Sequence, residues 1–298
     1  MIDKVSKKIK KIRRFINASV QHHPIAKRRK SKAISRYLLN HLGFNNQQKI
    51  VDWFHQLKYY YQKGDASFSG NYYFGLAEWQ ESVFILKYLQ PDDLFLDIGA
   101  NHGHYTLLAS GFSGCHSIAI EPVLQSYNQL LKNISLNQLS PLVHTYNIGL
   151  SDQDDTLHFS TDKGTMNKIV EAHYPNKVSV PVQTLDSLHI KPNLIKIDVE
   201  GFEYDVFMGG KETLALDEVN VVICEINFTL RHGVTGKDIV DYLASFHFLP
   251  YAFNGKKLIR LKEFNTETYN TIFIKNIDLA NERLAIKKSI SIWGVELG

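Results

Sequence analysis

Two groups of acidic residues, one at Asp97 and one running from Asp198 to Glu203, have the types and spacing to do chemistry. In the first, the apolar run Leu94-Phe95-Leu96 ends at Asp97 and continues through Ile98-Gly99-Ala100-Asn101-His102-Gly103-His104-Tyr105-Thr106. Glycines four apart suit a tight loop whose backbone approaches a ligand where side chains would collide. The dinucleotide fingerprint G-x-G-x-x-G is absent; the spacing is G-x-x-x-G, with an acid two residues before the first glycine. No G-K-[ST] follows, which also disfavours a P-loop. An acid at the tip of a strand repels a pyrophosphate and attracts a cationic group. S-adenosylmethionine carries an ammonium and a sulfonium. Glu121-Pro122, twenty-four residues beyond Asp97, stands where a carboxylate can accept both hydroxyls of a ribose. For either motif alone, a chance glycine loop or an acid capping the next helix is an adequate explanation. The two in this order and spacing point to S-adenosylmethionine.

The second group closes another strand. Asp198 stands at its end, Glu200 and Glu203 follow, and Glu225 ends the next apolar run. Strand ends on one edge of a parallel sheet share a crevice, so Asp198, Glu200 and Glu225 are the candidate catalytic residues. An alcohol must lose its proton to become a methyl acceptor, and a carboxylate can act as that base. Alternatively, Asp198 and Glu225 could hold Mg2+ and lower the acceptor's pKa. The base role is favoured because the spacing shows no compact ligand set. Glu203 could simply face the dipole of a helix beginning after Gly201. Lys196 shares the strand face of Asp198 and could neutralise an acid in the site or form an ordinary ion pair. His102 and His104, in the glycine loop, and Glu78, ahead of it, are candidate acceptor contacts; a loop histidine satisfied by backbone is the plainer alternative for the first two. Gly149 and Leu150, after a third strand, would bring backbone close to the adenine. The polar stretch from Asp152 to Asn176 is long for a connection and could close over the acceptor. The absence of H-E-x-x-H, CxxC and G-x-S-x-G argues against a zinc enzyme or serine hydrolase.

These residues need a scaffold of alternating elements. Apolar runs at 94–98, 117–120, 142–146, 194–197 and 219–226 read as strands, with helices at 105–112 and 123–137 between them. This alternation signals βα units and a mainly parallel sheet covered on both faces. Thr235 and Asp238 form the pattern of a capping box. Asn254-Gly255 reads as a two-residue hairpin turn between residues 249–253 and 257–261, and 271–275 as a last strand. Residues 39–89 look mostly helical, with Val51, Phe54 and Leu57 three apart. The expected division is a basic helical extension at 1–74, a catalytic domain at 75–275 and a tail at 276–298.

Asp97-Ile-Gly-Ala-Asn-His-Gly103 with Tyr105-Thr106, Glu121-Pro122, Thr184-Leu185-Asp186 and Ile195-Lys-Ile-Asp-Val-Glu-Gly-Phe-Glu203 together resemble the FkbM family of class I S-adenosylmethionine-dependent methyltransferases. The resemblance covers roughly residues 75–275, and its most specific block is 195–203. It implies a Rossmann-like α/β fold with a seven-stranded, mainly parallel sheet flanked by helices and ending in an antiparallel hairpin. It also implies O-methylation of hydroxyls, often on sugars or glycosylated metabolites. The cofactor-binding positions then expected are Asp97, Gly99, Ala100, Asn101, Gly103, Tyr105, Thr106, Glu121, Pro122, Gly149 and Leu150.

The chain has 298 residues, 44% hydrophobic and 21% charged, which excludes a disordered or collagen-like protein. Its two cysteines, Cys115 and Cys224, lie in or beside apolar runs, so a disulfide framework is not expected and a reducing, cytoplasmic setting is. No apolar run is long enough to cross a bilayer. The net charge of +4 hides an asymmetry: residues 1–37 hold thirteen Lys/Arg against the single acid Asp3. Ile2, Val5, Ile9, Ile12 and Ile16 would share one face of a helix there, the pattern of a segment lying on an anionic membrane. Such a protein would be peripheral on the inner face, with a glycan, glycolipid or other lipid-linked sugar as acceptor. A solvated arm and a helix packed on its own domain are the alternatives. Methylation of RNA or another polyanion is a weaker reading, since aromatics are sparse in the arm and N-P-P-Y is absent; an inactive scaffold is weaker still, because Asp97, Gly99, Gly103 and Glu121 are intact.

Overall fold

Short runs of Val, Ile, Leu and Phe without polar alternation form strands buried on both faces of a parallel sheet. The computed structural model contains that sheet and describes residues 10, 13–42, 47–160, 170, 173–226 and 233–297. Its strands are β1 (Leu94–Ile98), β2 (His116–Ile120), β3 (Val143–Tyr146), β7 (Leu194–Ile197), β8 (Val221–Glu225), β9 (Leu249–Phe253), β10 (Leu258–Arg260) and β11 (Asn270–Ile274), in spatial order β10-β9-β11-β8-β7-β1-β2-β3. The sheet therefore has eight strands where the family resemblance implied seven, and its edge is the short strand β10. Strands β8, β7, β1, β2 and β3 are mutually parallel, and β11 inserts antiparallel between β8 and β9. The chain leaves β1 for β2 on one side and later returns to β7 on the other. The carboxyl ends of β1 and β7 thus flank the switch point where α/β sheets bind ligands.

The helices that matter for the site are α1 (Trp79–Tyr88), α2 (His104–Leu108), α3 (Leu124–Leu136) and α4 (Glu203–Met208). Helix α2 is shorter than expected and runs on into a π-helical turn at Ala109–Ser113. The capping box at Thr235 and Asp238 is present and opens the helix Gly236–Ala244. The hairpin at Asn254-Gly255 has a four-residue loop rather than two, because Phe253 pairs with Leu258 and the Asn254 side chain accepts from the amides of Lys256 and Lys257. The polar stretch after residue 152 contains a strand. β5 (Asp155–Ser160) pairs antiparallel with β6 (Lys177–Gln183), which also pairs with β4 (Gly149–Leu150). Residues 161–169, the proposed cover of the acceptor among them, lie outside the described residues. Cys115 and Cys224 are free and fully buried.

The chain divides into two compact units at Trp79, and Ser289–Leu297 belongs with the N-terminal one. In this unit Val51, Phe54 and Leu57 do not lie on a helix. Lys49–Asp52 and Lys58–Tyr61 form an antiparallel hairpin, its turn passing through His55 and Gln56 at positive φ. The β-branched and aromatic content of the segment outweighs its three-residue spacing. Pro24 opens the helix Pro24–Arg28, and the His23 ring accepts from the amides of Ile25 and Ala26. Val20, Ala26 and Ala33 pack with Phe15, Phe74 and Trp293, so this part of the basic arm packs on its own unit. Of the expected apolar stripe, Ile2, Val5, Ile9 and Ile12 lie outside the described residues. The segment 276–298 is not a single tail, since the helix Ile277–Ala285 belongs to the larger unit and the hairpin of Ser291–Ile292 with Val295–Glu296 to the smaller.

Behind the sheet, the buried Asn220 side chain ties three elements together. Its amide donates to Tyr88 Oη at 3.1 Å and to the Asn276 carbonyl at 3.2 Å, and its oxygen accepts from the Asn276 amide at 2.7 Å. Asn220→Ala strands these partners, and a loss of about 2–4 kcal/mol in urea-denaturation stability is expected.

Candidate active site

Asp97 ends β1 facing the start of α2, where its Oδ2 accepts from the Thr106 amide at 3.0 Å and the Thr106 hydroxyl at 2.6 Å. Oδ1 has no hydrogen bond among the described residues. The turn between them passes through left-handed backbone at Gly99 (φ +82°), Asn101 (+49°) and Gly103 (+92°). Gly99 and Ala100 both donate to the Ile120 carbonyl, at 2.9 and 3.0 Å. Protein atoms lie where a Cβ would stand at both glycines. A Cβ on Gly99 would lie 1.9 Å from the Asp198 carbonyl oxygen, and one on Gly103 would lie 2.6 Å from Leu130 Cδ1 on α3. Gly99 therefore joins the two acidic groups by letting one turn rest on the other.

Glu121 follows β2 and folds back over the same turn. Its Oε2 accepts from the Asn101 amide at 2.9 Å and its Oε1 from the Val123 amide at 2.8 Å. Asn147, which sequence reasoning missed, donates from Nδ2 to the Glu121 and Pro122 carbonyls and fixes the end of β2. Burial pushes Asp97 up to about 6, against the pull of Thr106 and Lys196, and pushes Glu121 up to about 7, against its two backbone donors.

The second acidic group gathers around Lys196, whose side chain is 1% exposed. Its Nζ lies 3.5 Å from Asp198 Oδ2 and 5.4 Å from the centroid of the Tyr105 ring. Glu225, at the end of β8, lies beside Asp198 and favours its ionised form. Burial opposes ionisation of Asp198, yet Lys196 and Glu225 together hold it below the usual carboxylate range. Glu203 is buried, and its Oε1 accepts from the amides of Val199 at 3.1 Å and Gly201 at 3.3 Å, bracing the turn after Asp198. Burial pushes it up to about 7, and its Oε2 has no partner among the described residues. Glu200 lies exposed in that turn at φ +54°.

Other expected residues have different surroundings. His104 is buried, its Nε2 lies 2.9 Å from Ser82 Oγ on α1, and burial with nearby Lys196 lowers it to about 3, so the ring is neutral and fixed within the fold. His102 is partly exposed and its carbonyl accepts from Asn133 on α3. Leu150 packs in the apolar core with Leu185 and Val206, which leaves backbone as what this position can offer a ligand. Glu78 is exposed at φ +41° in the N-terminal unit. Asp186 of the Thr184-Leu185-Asp186 motif caps the helix Lys211–Ala215, accepting from Glu212 and Thr213. The magnesium reading finds no third ligand: no group of three His, Cys, Asp or Glu side chains is placed to hold a metal among the described residues.

The residues fit S-adenosylmethionine. Asp97 Oδ1 is open to a cation, each Glu121 oxygen takes one backbone donor and keeps capacity for a ribose hydroxyl, and the buried Asn101 Oδ1 has no partner among the described residues. A family model described as the methyltransferase FkbM domain matches residues 97–250. Over 165 residues the chain is 29% identical to the hexuronic acid methyltransferase AglP of Haloferax volcanii, which covers 54% of this chain and 65% of that protein. Over 166 residues it is 29% identical to methyltransferase 1 of Beauveria bassiana, covering 45% of this chain and 66% of that one. The chain thus spans slightly under two thirds of each relative's length. The solved structure of methyltransferase FkbM from Methylobacillus flagellatus KT is 13% identical with a TM-score of 0.45, covering 70% of this chain and 52% of that one.

The raised Asp97 makes a prediction with a definite sign. Folding lifts its pKa from 3.8 to about 6, so its charge is a penalty absent below the unfolded value, growing between the two and complete above about 6. Asp97→Asn is expected to stabilise the ligand-free protein at pH 7.5 by up to about 3 kcal/mol. The gain should fade to nothing near pH 4, as followed by thermal melts across pH.

Proposed function

The chain belongs to the methyltransferase FkbM domain family of S-adenosylmethionine-dependent methyltransferases, and we propose that it methylates a hydroxyl of a sugar-containing acceptor. The observation that carries the chemistry is Asp198 paired at 3.5 Å with buried Lys196, at the strand ends that also present Asp97. The sugar class is supported by the relative named as a hexuronic acid methyltransferase. Asp97, Glu121 and Asn101, with the backbone at Gly149 and Leu150, are the residues that would hold the cofactor. When bound, S-adenosylmethionine supplies an electrophilic methyl group on a sulfonium.

Asp198 is the base. Lys196 keeps it ionised at neutral pH, so it can take the acceptor's hydroxyl proton while the oxygen forms its bond to carbon. Glu225 stands beside Asp198 at the end of the neighbouring strand and favours its ionised form. Glu203 braces the turn behind it, where Glu200 lies exposed to water. His102 lines the acceptor side. Asp198→Asn is expected to lower kcat about 10²–10⁴-fold on a glucuronide acceptor, followed by mass for a gain of one methyl. Cofactor affinity measured by calorimetry should stay within a factor of a few. Unchanged turnover would remove Asp198 as base.

The basic arm supports a lipid-linked acceptor. Residues 1–37 would dock the enzyme on an anionic surface, with the isoleucine stripe of residues 2–16 adding apolar burial. No described helix is long and apolar enough to cross a membrane. Deleting residues 1–12, which spares the packed Phe15 and Val20, is expected to abolish co-sedimentation with anionic vesicles; unchanged binding would exclude the arm as anchor.

A further inference from the structure

Lys32 and Arg36 lie four apart on the helix Lys30–Leu42 and share one face, and Arg29 immediately precedes that helix. That face meets the turn joining Ser291–Ile292 to Val295–Glu296. Trp293 (φ +55°) and Gly294 (φ +69°) form the turn, two successive left-handed residues of the kind that hairpins usually fill with Asn-Gly. A tryptophan there is a costly choice, and its ring is in use. Lys32 Nζ lies 4.8 Å and Arg36 Cζ 4.9 Å from its centroid. Arg29 donates from Nε to the Trp293 carbonyl at 2.8 Å and from Nη2 to the Gly294 carbonyl at 3.4 Å. Arg36 commits Nη1 to the Tyr72 carbonyl at 2.9 Å.

No carboxylate of the described residues lies within ion-pair distance of these three cations, and the Lys32 ammonium has no hydrogen-bond acceptor among them. Partial burial, then repulsion from Arg36 and Arg29, holds Lys32 below the ordinary lysine range. Three like charges gathered about one ring without a counter-charge repel one another, and a bound oxyanion relieves that repulsion. A phosphoryl group matches this donor set better than a carboxylate, offering more terminal oxygens and up to two charges to an ammonium and to the guanidinium N–H groups that the backbone carbonyls do not take. We propose that Arg29, Lys32 and Arg36, assembled on Trp293, form a phosphoryl-binding site in the N-terminal unit that takes a phosphomonoester or diphosphate. The group could belong to a soluble ester or to a lipid headgroup. No residue of the site takes part in methyl transfer, so this inference stands or falls apart from the reaction.

The test is calorimetric titration of the full chain with inorganic pyrophosphate at fixed ionic strength. Lys32→Gln and Arg36→Gln are each expected to weaken binding about tenfold or more, and Lys30→Gln, an exposed lysine outside the trio, by less than about twofold. Circular dichroism and the thermal midpoint confirm that each variant is folded. Vesicles of phosphatidic acid in phosphatidylcholine then identify the source. Vesicle binding lost in the same two variants and displaced by pyrophosphate assigns a lipid phosphate; vesicle binding absent, or left intact by them, assigns a soluble ester. No pyrophosphate binding by the wild type, or equal weakening by Lys30→Gln, overturns the proposal and leaves only diffuse positive charge.

Discussion

Everything at the switch point depends on one close approach, in which the backbone of Gly99 rests where the carbonyl of Asp198 leaves no room for a Cβ. Register alone places β1 beside β7, pairing Phe95 with Leu194 and Ile98 with Ile197. It does not decide how the loops beyond those strands stack. The contact does, because it seats the turn after Asp97 directly on the turn after Asp198. Glu121 then reaches across to the Asn101 amide, and Lys196 below finds Asp198 on one side and Tyr105 on the other. A positive φ at Gly99 adds a second reason why only glycine serves there.

The charges held in this arrangement are expensive for the fold. Asp97, Glu121 and Glu203 are all raised by burial, and Lys196 is nearly inaccessible. Each accepts backbone or hydroxyl donors or faces an opposite charge, which keeps the cost tolerable without removing it. These four groups lie at or just beyond the carboxyl ends of β1, β2 and β7. Elsewhere in the larger unit, the apolar core from Leu96 to Phe273 carries no comparable burden.

The parallel core was legible from the sequence because its strands are continuous apolar runs, and both acidic groups fall at strand ends as that alternation requires. Other features needed three dimensions. The spacing of Val51, Phe54 and Leu57 fits a helix and a strand-turn-strand equally, and only pairing with Tyr59 and its neighbours selects the hairpin. The glycines were visible, but the atoms that exclude a Cβ come from a hundred residues away or from another helix. Asn147 and Asn133 gave no signal at all, since an asparagine that holds a distant carbonyl looks like any surface asparagine in sequence. Strand β5 was hidden in polar composition because it pairs outside the main sheet.

The two cysteines give the fold a built-in reporter. Burial pushes the Cys115 thiol up to about 12 and holds Cys224 well above its ordinary value, so neither is a thiolate in the native state. Alkylation therefore proceeds only through molecules that have opened. Cys224 lies in β8, flanked by β7 and β11, and becomes reactive only when the centre of the sheet comes apart; Cys115, just ahead of β2, answers to a smaller opening. The ratio of the two labelling rates measures how far the central strands open independently of the connection that enters β2.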